Sequence, residues 1–109
     1  MPLFITQGRF TQDAVRGMLV KPEDRAEAVG QLFAKSGGKL LAYYMTFGEY
    51  DWLLIAEGEQ EGAAAALITA LAAGGVTDTK TMLAMTTADM KNAFAKAGTV
   101  AASFKSAGK

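Results

Sequence analysis

The chain has 109 residues, with eleven Lys and Arg balanced by eleven Asp and Glu, and it contains no Cys and no His. This length suits one domain, and a composition that is half apolar and one fifth charged is that of a folded globular protein. Without Cys or His, the sequence excludes disulfides, thiolate nucleophiles, Cys-bound metal clusters, haem-ligating histidine and Ser-His-Asp triads. The balanced charge does not indicate nucleic-acid binding. Because no secretory signal or membrane-spanning run is visible, we expect a cytoplasmic location.

The first third of the chain predicts one strand and two helices. Residues 3–7 are rich in β-branched and aromatic side chains and predict a strand that ends at Gly8. Thr11 is placed to cap a short helix with its hydroxyl. Pro22, followed by two acidic residues, predicts the first turn of a second helix, because that position needs no N–H and favours negative charge. The helical region is therefore expected to break near Lys21.

The middle of the chain predicts a β-hairpin followed by a helix. Residues 40–47 and 52–56 are apolar segments joined by Gly48-Glu49-Tyr50-Asp51, a combination typical of two antiparallel strands and their turn. Glu59 precedes an Ala- and Leu-rich stretch with helical spacing, and that helix should stop at the glycine pair 74–75.

The remaining residues predict a strand and a last helix. Residues 76–85 alternate as a strand, which places Thr77, Thr79 and Thr81 on one face. Thr86, with Asp89 three residues later, resembles a capping box, and it precedes an apolar helical stripe of Met90, Ala93, Phe94 and Ala97. Val100, Ala101 and Phe104 would extend this stripe, although Gly98-Thr99 disfavours a helix there.

The order β-α-β-β-α-β-α predicts an α+β protein of the ferredoxin-like kind, with an antiparallel sheet and an additional C-terminal helix. Both alternating sets of positions in the segment 40–47 are apolar, yet helices cover only one face of such a sheet. We therefore expect a second copy of the chain on the other face, as a face-to-face homodimer or a higher homo-oligomer. The alternative is that the C-terminal helix folds back over that face.

Polar residues among these apolar strands are the candidates for a binding site. Asp51 either accepts hydrogen bonds from the backbone N–H groups of its own turn, or serves as a base or ligand anchor, as a carboxylate at the edge of an apolar interface. Tyr43 and Tyr44 are adjacent in a strand and point to opposite faces, so at most one of them lines a given cavity. The predicted ligand-binding residues are Gln7, Tyr44, Tyr50, Asp51, Thr79 and Thr81, with Tyr43 as the alternative to Tyr44. No metal site, cofactor or catalytic residue is predicted.

The turn Gly48-Glu49-Tyr50-Asp51, with Gly38-Lys39-Leu40 and Tyr44-Met45-Thr46 before it, resembles the signature of the GYD-domain family. Phe4-Ile5-Thr6 near the start is similar to that family as well, and the resemblance covers roughly residues 2–95. It implies a ferredoxin-like fold in the dimeric α+β barrel group, a domain over residues 1–97 and an extension or tail over residues 98–109. The family has no settled activity.

Two further resemblances are narrower. The Gly-x-Tyr-Asp turn and the segment Gly75-Val76, with Thr79 and Thr81, resemble the effector-binding domain of leucine-responsive transcription regulators. This resemblance implies small-molecule binding between subunits, although no DNA-binding helices precede the domain. Met1-Pro2-Leu3-Phe4-Ile5 resembles the start of the tautomerases, which implies an amino-terminal Pro2 as base if Met1 is removed.

These patterns favour a small homo-oligomeric module that binds a partly apolar molecule in a cleft between sheet and helices or between subunits. The alternative is a cofactor-independent oxygenase or isomerase of the dimeric barrel group, with Asp51 as the base. A third hypothesis is an oligomerisation module with no ligand.

Overall fold

The computed structural model describes all 109 residues and contains one four-stranded sheet. Its strands lie side by side in the order β2-β3-β1-β4, and every neighbouring pair is antiparallel. The strands are β1 (Leu3–Phe10), β2 (Lys39–Met45), β3 (Trp52–Glu57) and β4 (Val76–Ala84).

Four helices accompany the sheet, and together they confirm the predicted α+β class. They are α1 (Gln12–Val20), α2 (Ala26–Lys35), α3 (Gln60–Ala72) and α4 (Thr87–Ala101). The predicted caps of α1 and α4 are confirmed: the Thr11 hydroxyl accepts a hydrogen bond from the backbone N–H of Ala14 at 3.2 Å, and that of Thr86 from Asp89 at 3.1 Å. These bonds satisfy N–H groups that the first turn of a helix leaves free.

The helix predicted to begin at Pro22 begins four residues later. Residues 22–24 are irregular, and α2 starts at Ala26, whose backbone N–H donates to the Asp24 carboxylate at 2.9 Å. Because Asp24 supplies an acceptor two residues ahead of Ala26, it closes a local turn that leaves Pro22 in the loop. The predicted break near Lys21 is confirmed, since this residue ends α1.

The predicted β-hairpin is confirmed by the pairing of β2 with β3. Its turn is closed by hydrogen bonds from the Thr46 backbone N–H to the Asp51 carbonyl at 2.9 Å and from the Thr46 hydroxyl to the Tyr50 carbonyl at 2.8 Å. The pairing register shifts between Leu40 and Ala42. Past this irregularity, Tyr43 faces the same side of the sheet as its neighbour Leu54.

The expectation that three threonines share one face of β4 is wrong for Thr77. The pairing with β1 shifts here, so that Thr77 lies opposite Arg9 while Thr81 lies opposite Thr6, on the other face. Asp78 lies in this bulge, and its φ of 52° is in the left-handed region. A bulge changes the alternation of side chains beyond it, which a period of two does not anticipate.

The core of a single chain is small. Only four hydrophobic residues are buried, and three of them, Trp52, Leu54 and Ala56, lie on the same face of β3. The fourth is Ala66 of α3. We call the side of the sheet that packs against α2 and α3 its helix face, since these three β3 residues contact Val29 and Phe33 of α2.

The opposite side, which we call the open face, has no cover within the chain. It is formed by the strand residues that alternate with those of the helix face, and several of its aliphatic and aromatic side chains are partly or fully exposed. Its members include Leu3, Ile5, Gln7, Ala42, Tyr44, Leu53, Ile55 and Met82.

Helix α4 does not cover the open face, so the alternative that it folds back over the sheet is wrong. Every residue from Met85 to Lys109 is exposed, and α4 extends away from the remainder of the chain. The molecule therefore measures 61 × 30 × 22 Å, with a radius of gyration of 18.0 Å. No helix is long and apolar enough to cross a membrane.

Candidate functional site

The main candidate site is a cavity of about 250 Å³ between the helix face and the helices α2 and α3. Sixteen residues line it, and thirteen of them are hydrophobic. Phe4, Trp52 and Leu54 form its floor on the sheet, while Phe33 and Leu67 are contributed by α2 and α3. The cavity exists because α3 faces the sheet mainly with alanines, whose side chains are too short to fill the space above the strands.

Two hydroxyl groups lie in the floor of this cavity. Thr6 and Thr81 are cross-strand neighbours on β1 and β4, and their Oγ1 atoms are 2.9 Å apart. Thr6 is buried, so its hydroxyl needs this partner. A pair of hydroxyls uses only one of its two protons internally, which leaves one donor and spare acceptor capacity for a bound molecule.

Trp52 is the buried aromatic residue of the cavity floor. Its ring meets that of Tyr43 edge to face, with centroids 6.5 Å apart. The indole Nε1 is buried and has no hydrogen-bond partner, an arrangement that costs about 1–3 kcal/mol. Because Nε1 is shielded from solvent, a molecule in the cavity reaches this donor only if the indole ring turns.

Tyr43 contributes to the walls of two cavities at once. Burial raises the pKa of its phenol above the ordinary 10.0, an effect that Arg25 opposes and Asp24 reinforces. The phenol is therefore neutral at physiological pH and is able to donate a hydrogen bond.

A second cavity, of about 450 Å³, lies between α1, α2 and α3. Its walls include Ala14 and Met18 of α1, but also the charged residues Lys21, Glu23 and Arg25 at its edge. The ion pair between Arg25 and Glu23, at 2.8 Å, is half exposed and adds little stability. The first cavity is the better candidate because it is more apolar and has hydroxyls placed within it.

The structure divides the predicted ligand-binding residues between the two faces of the sheet. Thr81 lies in the cavity, whereas Thr79 belongs to the bulged part of β4 and does not line it. Gln7, opposite Leu53, and Tyr44, also opposite Leu53 but from β2, lie on the open face. These residues do not form one cluster within a single chain.

Tyr50 and Asp51 lie in the hairpin turn, outside both cavities. The Asp51 Oδ2 accepts a hydrogen bond from the backbone N–H of Phe10 at 2.9 Å, and the Asp51 N–H donates to the Gly8 carbonyl at 2.8 Å. Asp51 thus ties the hairpin turn to the end of β1. The Arg9 guanidinium lies 5.9 Å from the centre of the Tyr50 ring, within cation–π range.

The cavity also contains residues that sequence reasoning did not select. Thr6 and Trp52 line it, although neither was among the predicted ligand-binding residues, and Tyr43 lines it in place of Tyr44. The polar Thr6 between Phe4 and Gly8 was a usable signal. The choice of Tyr44 over Tyr43 depended on the strand register, which the irregularity at Leu41 alters. No group of three or more acidic side chains is placed to hold a metal ion.

Comparison with known proteins decides the family. The chain matches the GYD domain over residues 4–94, which is most of its length. It belongs to the GYD-domain family. This GYD-domain protein is 30% identical, over 90 residues, to the "Glutamine synthetase and cystathionine beta-lyase binding protein" of Thermus thermophilus; the alignment covers 83% of this chain and 95% of that protein.

The GYD-domain protein is also similar to solved structures of low sequence identity. A protein from Thermus thermophilus shares 20% identity with a TM-score of 0.48, and the match covers 79% of this chain and 95% of that one. A hypothetical protein from Pyrococcus horikoshii shares 17% identity with a TM-score of 0.45, and the match covers 79% and 92% of the two chains.

Proposed function

We propose that this GYD-domain protein is a homodimeric module that binds a small, largely apolar molecule in the cavity between the helix face and α2 and α3. The observation that carries this proposal is the Thr6–Thr81 hydroxyl pair in the floor of a cavity whose lining is otherwise hydrophobic except for Gln60 of α3. Cavities of this kind bind the apolar body of a ligand and orient it through a few polar groups.

The size of the cavity sets the class of ligand. An engineered apolar cavity of about 150 Å³ accommodates benzene. The cavity here is about 250 Å³ and therefore suits a molecule the size of a substituted single ring or a short aliphatic chain. One hydroxyl or carbonyl group on that molecule would bond to the Thr6–Thr81 pair, and the neutral Tyr43 phenol is a further donor in the wall.

The homodimer is supported by the strand order and by the open face. An antiparallel sheet in the order β2-β3-β1-β4, with α2 and α3 on one side, is compatible with the ferredoxin-like arrangement that the sequence predicts. Its other side presents Ile5, Leu53 and Ile55 next to each other in the two central strands. Two such faces packed together would form the dimeric α+β barrel, with Gln7 and Tyr44 of each copy in the interface.

Ligand binding is tested with the fluorescence of Trp52, the single tryptophan of the chain. Benzyl alcohol and cyclohexanol are titrated as probes, with glycerol as a polar comparison. We expect a saturable change with the two apolar alcohols. Ala63→Leu adds volume inside the cavity and should weaken binding about tenfold, while Ala65→Leu, on an exposed position of α3 outside the lining, should not. Absence of saturation, or an equal response of both variants, would contradict cavity binding.

The homodimer is tested by light scattering at micromolar concentration. The wild-type chain should have twice the mass of one chain, and Ile55→Glu should convert it to a monomer because it places a charge in the middle of the open face. Gln31→Glu, which adds the same charge to an exposed position of α2, is the control. A monomeric wild-type chain would disprove the homodimer.

Binding of other proteins is a second candidate function. The Thermus thermophilus relative is named as a binding protein of glutamine synthetase and cystathionine beta-lyase. The exposed apolar side chains of this chain are compatible with a comparable role. Purified samples of those two enzymes, mixed with the chain and analysed by size-exclusion chromatography, test it: co-elution supports the role, and separate elution of both enzymes rejects it.

A further inference from the structure

The chain exposes far more surface than a compact monomer of its mass. Its accessible area is 7929 Å², whereas a folded monomer of 11.4 kDa exposes about 5,800 Å². The radius of gyration agrees, since 18.0 Å is well above the value of about 13 Å for a compact chain of this length. Each copy therefore carries roughly 2,000 Å² of surface in excess of what a self-contained domain exposes.

Helix α4 contributes to this excess. No residue of this 15-residue helix is buried. An isolated helix of that length is marginal in water, and Gly98 and Thr99 lower its helical propensity further. Its stability must therefore come from packing against something outside its own chain.

One face of α4 is suited to such packing. Met90, Phe94, Ala97 and Ala101 follow each other at spacings of four, three and four residues, which aligns them along one side of the helix. Phe94 is 71% exposed, and Phe104 just beyond the helix is 75% exposed. The opposite side carries Asn92 and Thr99, so the helix is amphipathic with an unpartnered apolar face.

We propose that α4 is an exchanged arm, which packs its apolar face onto the body of a second copy of this chain. The proposal rests on the homodimer proposed above. The excess accessible area supports a second copy as the partner. Two copies, each with roughly 2,000 Å² of excess surface, have a total in the range that obligate homodimers bury. In a two-fold dimer each copy supplies one arm and receives the other, so the excess surface of both copies is buried in the same interface.

The connection to β4 opposes a return of α4 to its own sheet. Only Met85 and Thr86 separate the end of β4 from the start of α4. Thr86 is held in an extended conformation by its role as N-cap, with ψ near 160°. The body of each copy also has unpartnered apolar side chains to receive an arm, among them Leu19 and Val20 at the end of α1, which are 77% and 87% exposed.

The arm is tested with a photoreactive benzoylphenylalanine placed at position 94 and, as the control, at position 92 on the polar side of α4. Irradiation of the full-length protein should join two chains into a product of twice the mass for position 94, and several-fold less for position 92. Peptide mapping should place the attachment point in residues 1–84 of the other copy. Cross-links within one chain only, or no cross-links at either position, would overturn the proposal. The contact surface of α4 would then be its own sheet, another protein or a membrane surface.

Charge variants separate this proposal from the homodimer itself. Met90→Glu with Phe94→Glu should weaken dimerisation about tenfold or more, while Asn92→Glu with Thr99→Glu adds equal charge on the other side and should not. If only Ile55→Glu dissociates the dimer, the exchanged arm is wrong and the face-to-face homodimer stands. If only the Met90 and Phe94 variant does, the arm stands and the open face is not the interface.

Discussion

Gly8 is required by the position of Trp52. A Cβ at residue 8 would overlap the indole ring, lying 2.9 Å from Cε2 and 3.0 Å from Cη2. We predict that Gly8→Ala lowers the free energy of unfolding by about 1–3 kcal/mol, because the indole must move within a packed region. Gly30→Ala is the control, since nothing lies within 4 Å of its added methyl group and it should instead stabilise α2 by about 0.5–1 kcal/mol.

Urea denaturation followed by circular dichroism measures both changes. Equal stability of Gly8→Ala and the wild-type chain would show that the indole does not occupy this position in solution.

The phenol of Tyr43 predicts a loss of stability at alkaline pH. Because burial raises its pKa above 10.0, the unfolded chain releases this proton at a lower pH than the folded chain does. Because the unfolded state then binds fewer protons, the free energy of unfolding falls as pH rises. The contribution of the Tyr43 phenol to stability is therefore complete below pH 10 and is lost above it. Tyr43→Phe should remove this component, both from the alkaline stability profile and from the absorbance titration of tyrosinate. A profile that the substitution leaves unchanged would contradict the burial of this phenol.

Secondary structure elements show what the sequence predicts well and what it does not. Caps and turns depend on neighbouring residues, so Thr11, Thr86 and the Gly48–Asp51 turn were predictable from local chemistry. The bulge at Asp78 was not, because this residue replaces the glycine that usually marks a left-handed position. That irregularity, with the one at Leu41, decides which polar side chains face the cavity.

The position of α4 was beyond prediction for a different reason. Its amphipathic pattern correctly indicated a helix with an apolar face, but such a pattern says nothing about which surface the face contacts. The sequence predicted a cleft between sheet and helices or between subunits, but it did not predict the size of the cavity, because that depends on how far the alanines of α3 stand from the sheet.

The N-cap of α4 should contribute to the stability of this helix. Thr86→Ala removes the hydroxyl that accepts the Asp89 N–H, and it should destabilise the helix by about 1 kcal/mol. Hydrogen exchange of the amides in the first turns of α4 should accelerate about fivefold. Thr99→Ala is the matched control, since it replaces Thr within the helix by a stronger helix former and should slow exchange. Equal exchange in the two variants would contradict a role for the cap.

At the scale of the molecule, the burial of only seven residues in the isolated chain sets an expectation for unfolding. We expect a chain with so small a core to gain stability from the proposed homodimer, which would make its unfolding depend on protein concentration. The melting temperature of a two-state homodimer of this length should rise by about 3 °C for each tenfold increase in concentration. Calorimetry across about a hundredfold range measures it, and a constant melting temperature would indicate a self-sufficient monomer.

The bulge in β4 has a consequence for the evolution of this strand. Deletion of Asp78 would remove the bulge, so that side chains between Thr77 and Lys80 alternate regularly between the two faces of the sheet. The residues on both sides of the deletion would keep their present partners in β1. A deletion at Met82 would instead reverse the faces of the residues beyond it. Natural variation in the length of this strand should therefore be confined to positions 78–79, where an alignment gap is compatible with an unchanged Thr6–Thr81 pair.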